Sequence, residues 1–268
     1  MPTDYRDPPA VWSIYGAHAA VMLRCGPAVM VAPAPGRVFV LSGADHVDLN
    51  QVALYRPAGR ELATETVSLA FDAGVPVLLA VSSTVSEDVS DALATGGFLR
   101  TSKREALFWS PHLPPEADSP FVIERVATGR THAAARFVFA SVHGYSAAMV
   151  DAAYGPRLLA HNDVDAWVAW EGNTPVGAVY ITTVDGTLGV FEMMTVPAYR
   201  RRGVGRALLS GALAAAAARS EQPIRETCFW STPDGQPLYT AIGFTAVDIL
   251  EVWTLGASEE DLAAVGAN

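Results

Sequence analysis

Met194-Thr195-Val196-Pro197-Ala198-Tyr199-Arg200-Arg201-Arg202-Gly203-Val204-Gly205-Arg206 runs the apolar end of a strand into a turn with two glycines and then into a helix. Val204, Leu208, Leu209 and Leu213 repeat on one helical stripe until Gln222-Pro223 stops it. Such a helix start carries backbone N–H groups with no partner in the preceding turn, all pointing one way. Gly203 and Gly205 let the chain turn tightly and let a ligand approach the backbone, while Arg200, Arg201, Arg202 and Arg206 add positive charge. The segment reads as an anion site that fits a diphosphate-bearing cofactor. A tight turn with solvated arginines is the plainer alternative. A dinucleotide fingerprint fits poorly, because Leu208 stands where the third glycine is required.

Working outward, Val164–Trp170 and Pro175–Thr183 read as a hairpin and Leu188–Val196 as a third strand. Beyond the helix come a strand over Ile224–Trp230, a short helix over Gly235–Ala241 stopped by Gly243-Phe244, and a final strand over Ala246–Thr254. The prolines at 111, 114, 115 and 120 mark a linker at 111–120 between a part at 1–110 and a part at 121–268. The first part shows a similar order of signals. Strands are expected at Ala28–Ala32, Arg37–Leu41, Asn50–Tyr55, Val75–Val81 and Glu105–Trp109, and helices at Gly59–Phe71 and Glu87–Thr95. Gly59 to Gly97 spans nearly the interval from Gly203 to Gly243, so the halves look like two copies of one unit. In the first copy the loop reads Tyr55-Arg56-Pro57-Ala58-Gly59, with a proline that lacks an N–H and a single glycine, and the anion site is expected to be lost there.

Met194-Thr-Val-Pro-Ala-Tyr-Arg, then Arg-Arg-Gly-Val-Gly, then Leu238-Tyr-Thr-Ala-Ile-Gly-Phe244, in this order and on these elements, resemble the GNAT superfamily of N-acetyltransferases over roughly residues 121–255. The resemblance implies an α+β fold of two GNAT-like units, each a mixed, mostly antiparallel sheet flanked by helices, the N-terminal one degenerate. It implies acetyl-CoA as co-substrate and a small-molecule or peptide amine as acceptor. The backbone of Met194, Thr195 and Val196 is then expected along the acetyl and pantetheine parts, with the Met194 N–H stabilising the oxyanion, and Arg201, Arg202, Gly203, Val204, Gly205 and Arg206 around the pyrophosphate. The strand ending at Met194 is expected to be bulged and to splay from Ile224–Trp230. Tyr239 matches the tyrosine that protonates the departing thiolate, and Glu192, expected on the face of Met194 by strand alternation, is the candidate base. Each has a structural alternative, Tyr239 as a half-buried aromatic and Glu192 as a surface carboxylate. Many relatives carry Asn seven residues before the tyrosine, where this chain has Thr232. A CoA-binding sensor without turnover, or an enzyme using a longer acyl-CoA, are the other functions open at this stage.

Composition narrows the rest. A formal charge of −10 argues against nucleic-acid affinity and favours cationic partners. Cys25 and Cys228 stand far apart and are expected to be buried thiols, and the six dispersed histidines argue against a metal site. The alanine run from Ala212 to Ala218 is too short to cross a bilayer, and the first residues lack the pattern of a secretory signal, so no membrane association and a cytoplasmic location are expected. His143, Tyr145 and Trp167 read as core or loop packing. The degenerate half could cover the site, contribute acceptor contacts or join two chains as a homodimer.

Overall fold

The structure, a computed structural model, describes residues 6–258 and divides into two compact units. The first gathers the chain up to Phe108 with Trp230–Gln236 and the residues from Ala246 on, and the second comprises Trp109–Phe229 and Pro237–Thr245. Its elements in chain order are α1 (Pro8–Met22), β1 (Met30–Val31), β2 (Arg37–Leu41), β3 (Asn50–Leu54), α2 (Arg60–Ala73), β4 (Val77–Ser82), α3 (Glu87–Thr95) and β5 (Leu99–Ser110). Then follow β6 (Val122–Arg125), α4 (Gly129–His143), α5 (Ala147–Tyr154), α6 (Pro156–Leu159), β7 (Val164–Glu171), β8 (Thr174–Val184) and β9 (Thr187–Thr195). The chain ends with α7 (Val204–Arg219), β10 (Glu226–Ser231), α8 (Gln236–Ala241) and β11 (Thr245–Leu255). The α+β class expected from the sequence is the one observed.

In the first unit the sheet order is β1-β2-β3-β4-β11-β5, with β3 and β4 parallel and β4 and β11 antiparallel from Leu250↔Ser82 to Leu255↔Val77. Alternate residues of β2, β3 and β4, among them Phe39, Val52, Leu54, Leu79 and Val81, meet Val89 and Leu93 of α3 and Trp253 of β11 in one core. The final strand therefore belongs to the first unit, so a division of the chain into 1–110 and 121–268 is corrected at its C-terminal end. Besides the ladder, buried Asp248 fixes that strand, accepting from Trp12 Nε1 at 2.9 Å and Ser82 Oγ at 2.9 Å. The turn before α2 contains a cis Arg56–Pro57 bond, and its Gly59 is extended at φ −131°.

In the second unit the order is β10-β9-β8-β7-β6, antiparallel except for the parallel pair β9 and β10. The β8–β9 hairpin turns at Asp185-Gly186, both left-handed at φ 46° and 70°, the pattern of a type I′ turn. Gly177 and Tyr180 of β8 lie three apart and so face opposite sides. A Cβ at Gly177 would meet Val204 and Leu208 of α7, whereas the Tyr180 hydroxyl donates to Tyr154 O at 2.7 Å. Helix α7 thus covers one face, and α4 and α5 the other.

Buried Asp165 of β7 ties this unit together, accepting from Arg125 Nε of β6 and from Arg219 Nε in the last turn of α7 at 3.2 Å. Truncating Asp165 to Ala removes both contacts, and because the Arg125 and Arg219 side chains are 34% and 47% exposed and can hydrate, it is expected to cost about 1 kcal/mol, read from the midpoint of urea unfolding. An unchanged midpoint would show these contacts to be incidental. Among the described residues no helix is long and apolar enough to cross a membrane, no group of three or more His, Cys, Asp or Glu is placed to hold a metal ion, and Cys25 and Cys228 are both buried.

Candidate active site

The site lies in the second unit where β9 leaves β10. Their parallel ladder pairs Glu226 with Thr187, Thr227 with Leu188 and Cys228 with Gly189, and among the described residues it ends there. β9 continues along β8 to Thr195, so Val190–Thr195 have a partner on one side and a gap on the other. A bulge falls in this stretch. Tyr180 pairs with Phe191 and Ala178 with Met194, so one residue of β8 opposes two of β9, Glu192 and Met193. Glu192 is left-handed at φ 49°, which costs a non-glycine residue on the order of 1 kcal/mol. The splayed, bulged strand expected from the resemblance is present.

Glu192 and Met194 share a face, as expected: the Glu192 carboxylate meets Tyr154 and His143 on the α4–α5 side, and Met194 opposes Ala178, two residues from Tyr180 on that same side. The bulge brings Phe191, opposite Tyr180, to that face as well. The backbone assignment narrows. Val196 N–H donates to Val176 O at 2.9 Å, which makes Val176–Val196 a hydrogen-bonded pair, and the register then makes Ala178–Met194 another. Both Met194 and Val196 thus spend their backbone groups on β8, as the Met194 carbonyl confirms by lying 2.7 Å from where a Gly177 Cβ would be. Thr195, between them, is a non-hydrogen-bonded residue of that ladder, and its N–H and C=O face the gap.

From Thr195 the chain passes through a short 3₁₀ turn at Pro197–Tyr199 and reverses at Arg201 and Gly203, left-handed at φ 62° and 86°. Gly203 has open space around an added Cβ, so backbone conformation alone demands glycine there. Gly205 is the reverse case. It is helical, and a Cβ would stand 2.9 Å from Leu238 Cδ2, 3.5 Å from Met193 Cε and 3.7 Å from Thr195 Oγ1. The first turn of α7 is therefore packed against the end of β9 and against α8 without a side chain between. The N–H groups of Val204, Gly205 and Arg206 have no acceptor within their own helix, whose first i→i−4 bond is made by Ala207 to Gly203 O at 3.1 Å.

The arginines divide by commitment. Arg202 pairs with Glu171 and lies over the Tyr199 ring at 5.0 Å, Arg206 donates to Ala241 O at 3.1 Å, and Arg200 donates to Thr195 O at 3.4 Å. Arg201 makes no ion pair or side-chain hydrogen bond among the described residues, which leaves its guanidinium available to an anion. In the first unit the matching loop has no left-handed residue between Tyr55 and Arg60 among the described residues, and Pro57 supplies no N–H.

Tyr239, on α8 beside the Leu238 that touches α7, is 6% exposed, with its ring tilted against Phe229 at 4.5 Å. Burial pushes its phenol well above the ordinary range, so at neutral pH it is a proton donor and not a phenolate. Glu192 is on the opposite flank of the bulge. Its Oε1 accepts from Tyr154 OH at 2.8 Å, and its Oε2 lies 3.8 Å from His143 Nε2. The His143 ring is stacked on Tyr145 at 5.0 Å. His143, read from sequence as packing, and Tyr154, which no motif marks, thus flank the candidate base, with Tyr145, also read as packing, stacked on His143. The spacing of Phe139 and His143 on one face of α4 was the available signal.

Comparison with known proteins places this geometry. Residues 162–246 match the model of the acetyltransferase (GNAT) domain. Among curated proteins nothing matches. Among solved structures, a GCN5-related N-acetyltransferase from Kribbella flavida aligns at TM-score 0.63 and 19% identity over 95% of this chain and 98% of that one. One from Sphaerobacter thermophilus aligns at 0.56 and 14% over 85% and 79%. A tandem GNAT protein from the clavulanic acid biosynthesis pathway, solved without AcCoA, aligns at 0.53 and 16% over 93% and 95%. At these identities the structural likeness speaks for the fold, and it extends over both units. The family model adds that residues 162–246 are similar in sequence to a GNAT acetyltransferase domain, and the structural likeness gives the chain the fold of GNAT-like units in tandem.

Proposed function

We propose that the second unit transfers an acetyl group from acetyl-CoA to a primary amine of a small molecule or peptide. The observation that carries this reading is the gap between β9 and β10 opening beside the first turn of α7. A backbone edge and an anion cradle are then contiguous, as a ligand with an amide-bearing arm and a pyrophosphate requires. Thr195 would bond the arm through its N–H and C=O. Arg201 and the N–H groups of Val204, Gly205 and Arg206 would hold the pyrophosphate, joined by Arg202 and Gly203 in the same turn. Acetyl-CoA supplies the reactive thioester.

The chain's own part is binding and proton traffic. Glu192 takes one proton from the acceptor ammonium, freeing the nitrogen lone pair. Tyr239 gives its proton to the sulfur as the C–S bond breaks and recovers one from the nitrogen as the amide forms. One proton per turnover leaves from Glu192. The acidic net charge of −10 biases the protein toward cationic acceptors.

Ligand-induced stabilisation tests the cofactor site without knowledge of the acceptor. A ligand at about a hundred times its Kd stabilises the native state by about 2.7 kcal/mol, which raises the melting temperature by several degrees. Acetyl-CoA is expected to do this for the wild type and not for Gly203→Val/Gly205→Val, where one substitution forces a left-handed β-branched residue and the other fills the space beside Leu238. No rise in the wild type would sink the reading.

A further inference from the structure

A base in a bulge needs something to aim it, because the strand no longer does. Glu192 departs from the strand conformation at φ 49°, and its carboxylate turns toward the α4–α5 corner. Tyr154, the last residue of α5, is held there on three sides. Its ring stacks on Phe139 at 4.7 Å with planes 19° apart, it tilts against Tyr180 at 5.6 Å, and its carbonyl accepts from Tyr180 OH at 2.7 Å. Side chain and backbone are both fixed and the residue is 2% exposed, so its hydroxyl is a donor of set position, 2.8 Å from Glu192 Oε1.

We infer that Tyr154 is a positioning residue: its hydroxyl occupies Oε1 of Glu192 and presents Oε2, on the side of His143, to the acceptor's ammonium group. The inference rests on the reading of Glu192 as the base. Without the O–H, a strained carboxylate on freely turning torsions would sample several orientations, and a proton acceptor misplaced by an ångström loses much of its effect. The ionisable groups around Glu192 are His143 on α4, Tyr154 and Asp151 on α5, and Tyr180 on β8. Asp151 is paired with Arg136 at 3.0 Å, and the phenol of Tyr180 is raised by burial first and then by the Glu192 and Asp151 charges.

His143 serves as a built-in reporter that needs no acceptor. Its ring-proton resonance, assigned by loss in His143→Gln, is titrated in wild type, Glu192→Gln and Tyr154→Phe. Removing a carboxylate 3.8 Å away is expected to lower the imidazole midpoint in Glu192→Gln. Tyr154→Phe keeps the ring stack and is expected to displace the midpoint as well, since a carboxylate released at Oε1 changes its distance to the imidazole. A Tyr154→Phe curve superimposable on wild type overturns the inference, and so does an unmoved midpoint in Glu192→Gln. On an amine that the wild type acetylates, Tyr154→Phe is expected to lose roughly tenfold in kcat with KM for acetyl-CoA unchanged, and wild-type kcat would likewise overturn it. Throughout, the melting-temperature rise with acetyl-CoA should persist; its absence in wild type would instead defeat the underlying functional reading.

Discussion

Tyr239→Phe is expected to lower kcat by at least a hundredfold while the melting-temperature rise with acetyl-CoA stays within a degree or so of wild type. The substitution removes one oxygen from a residue whose ring is otherwise held by Phe229 at 4.5 Å, itself edge-on to Phe244 at 4.9 Å. Packing is therefore preserved, and the stability cost should stay near 1 kcal/mol, the scale of one lost hydrogen bond. What disappears is the phenol proton of α8, the helix whose Leu238 packs against Gly205 of α7. A thiolate leaves readily once protonated, so the loss falls on kcat and not on acetyl-CoA binding. Turnover within twofold of wild type, in a variant that still binds acetyl-CoA, would remove Tyr239 from the mechanism and return it to packing, as its burial alone would allow.

The sequence disclosed this site unevenly, and the reason is physical. β7, β8, β9 and α7 were legible almost to the residue because each is long: the strands are near-continuous apolar runs buried on both faces, and α7 carries an apolar stripe at helical spacing. The turn into α7 was legible because Gly203 and Gly205 are glycines for separate reasons, one of backbone angle and one of space. Helix α1 was not. Its buried residues Val11, Trp12, Tyr15, Ala19 and Met22 do repeat at helical spacing, but alanines fill the other faces and flatten the contrast. The edge strand β6 is four residues long, and α5 and α6 are shorter than a period can establish. The bulge was expected only from the resemblance, because nothing in Phe191-Glu-Met-Met marks which residue is extra. Without the register, Met194, Thr195 and Val196 were all assigned open backbone groups, whereas the ladder turns only those of Thr195 into the gap. That β11 completes the first unit depends on pairing with β4 across more than 160 positions of chain, which local pattern does not encode.

The first unit has a titration of its own, with a large expected effect on stability. Glu105 of β5 is 6% exposed, its Oε2 accepting from Trp230 Nε1, and burial is the main cause that pushes its carboxyl from 4.5 up to about 7. The indole hydrogen bond and Lys103 pull it down and Asp48 pushes it further up, without reversing the sign. The native state thus holds this proton more tightly than the unfolded chain does. Below about 4.5 both states are protonated and there is no penalty; as pH rises through about 7 the native state must ionise a buried group, and stability falls. A displacement of this size, at about 1.36 kcal/mol per unit, corresponds to about 3 kcal/mol between pH 4.5 and 8. Glu105→Gln keeps an oxygen for the Trp230 indole and cannot ionise. Unfolding in urea followed by tryptophan fluorescence should therefore give similar stabilities for the two proteins near pH 5 and a variant about 3 kcal/mol more stable relative to wild type near pH 8. Parallel pH profiles would mean that water or a shifted side chain reaches Glu105 when it ionises, and that the first unit gives way there at little cost.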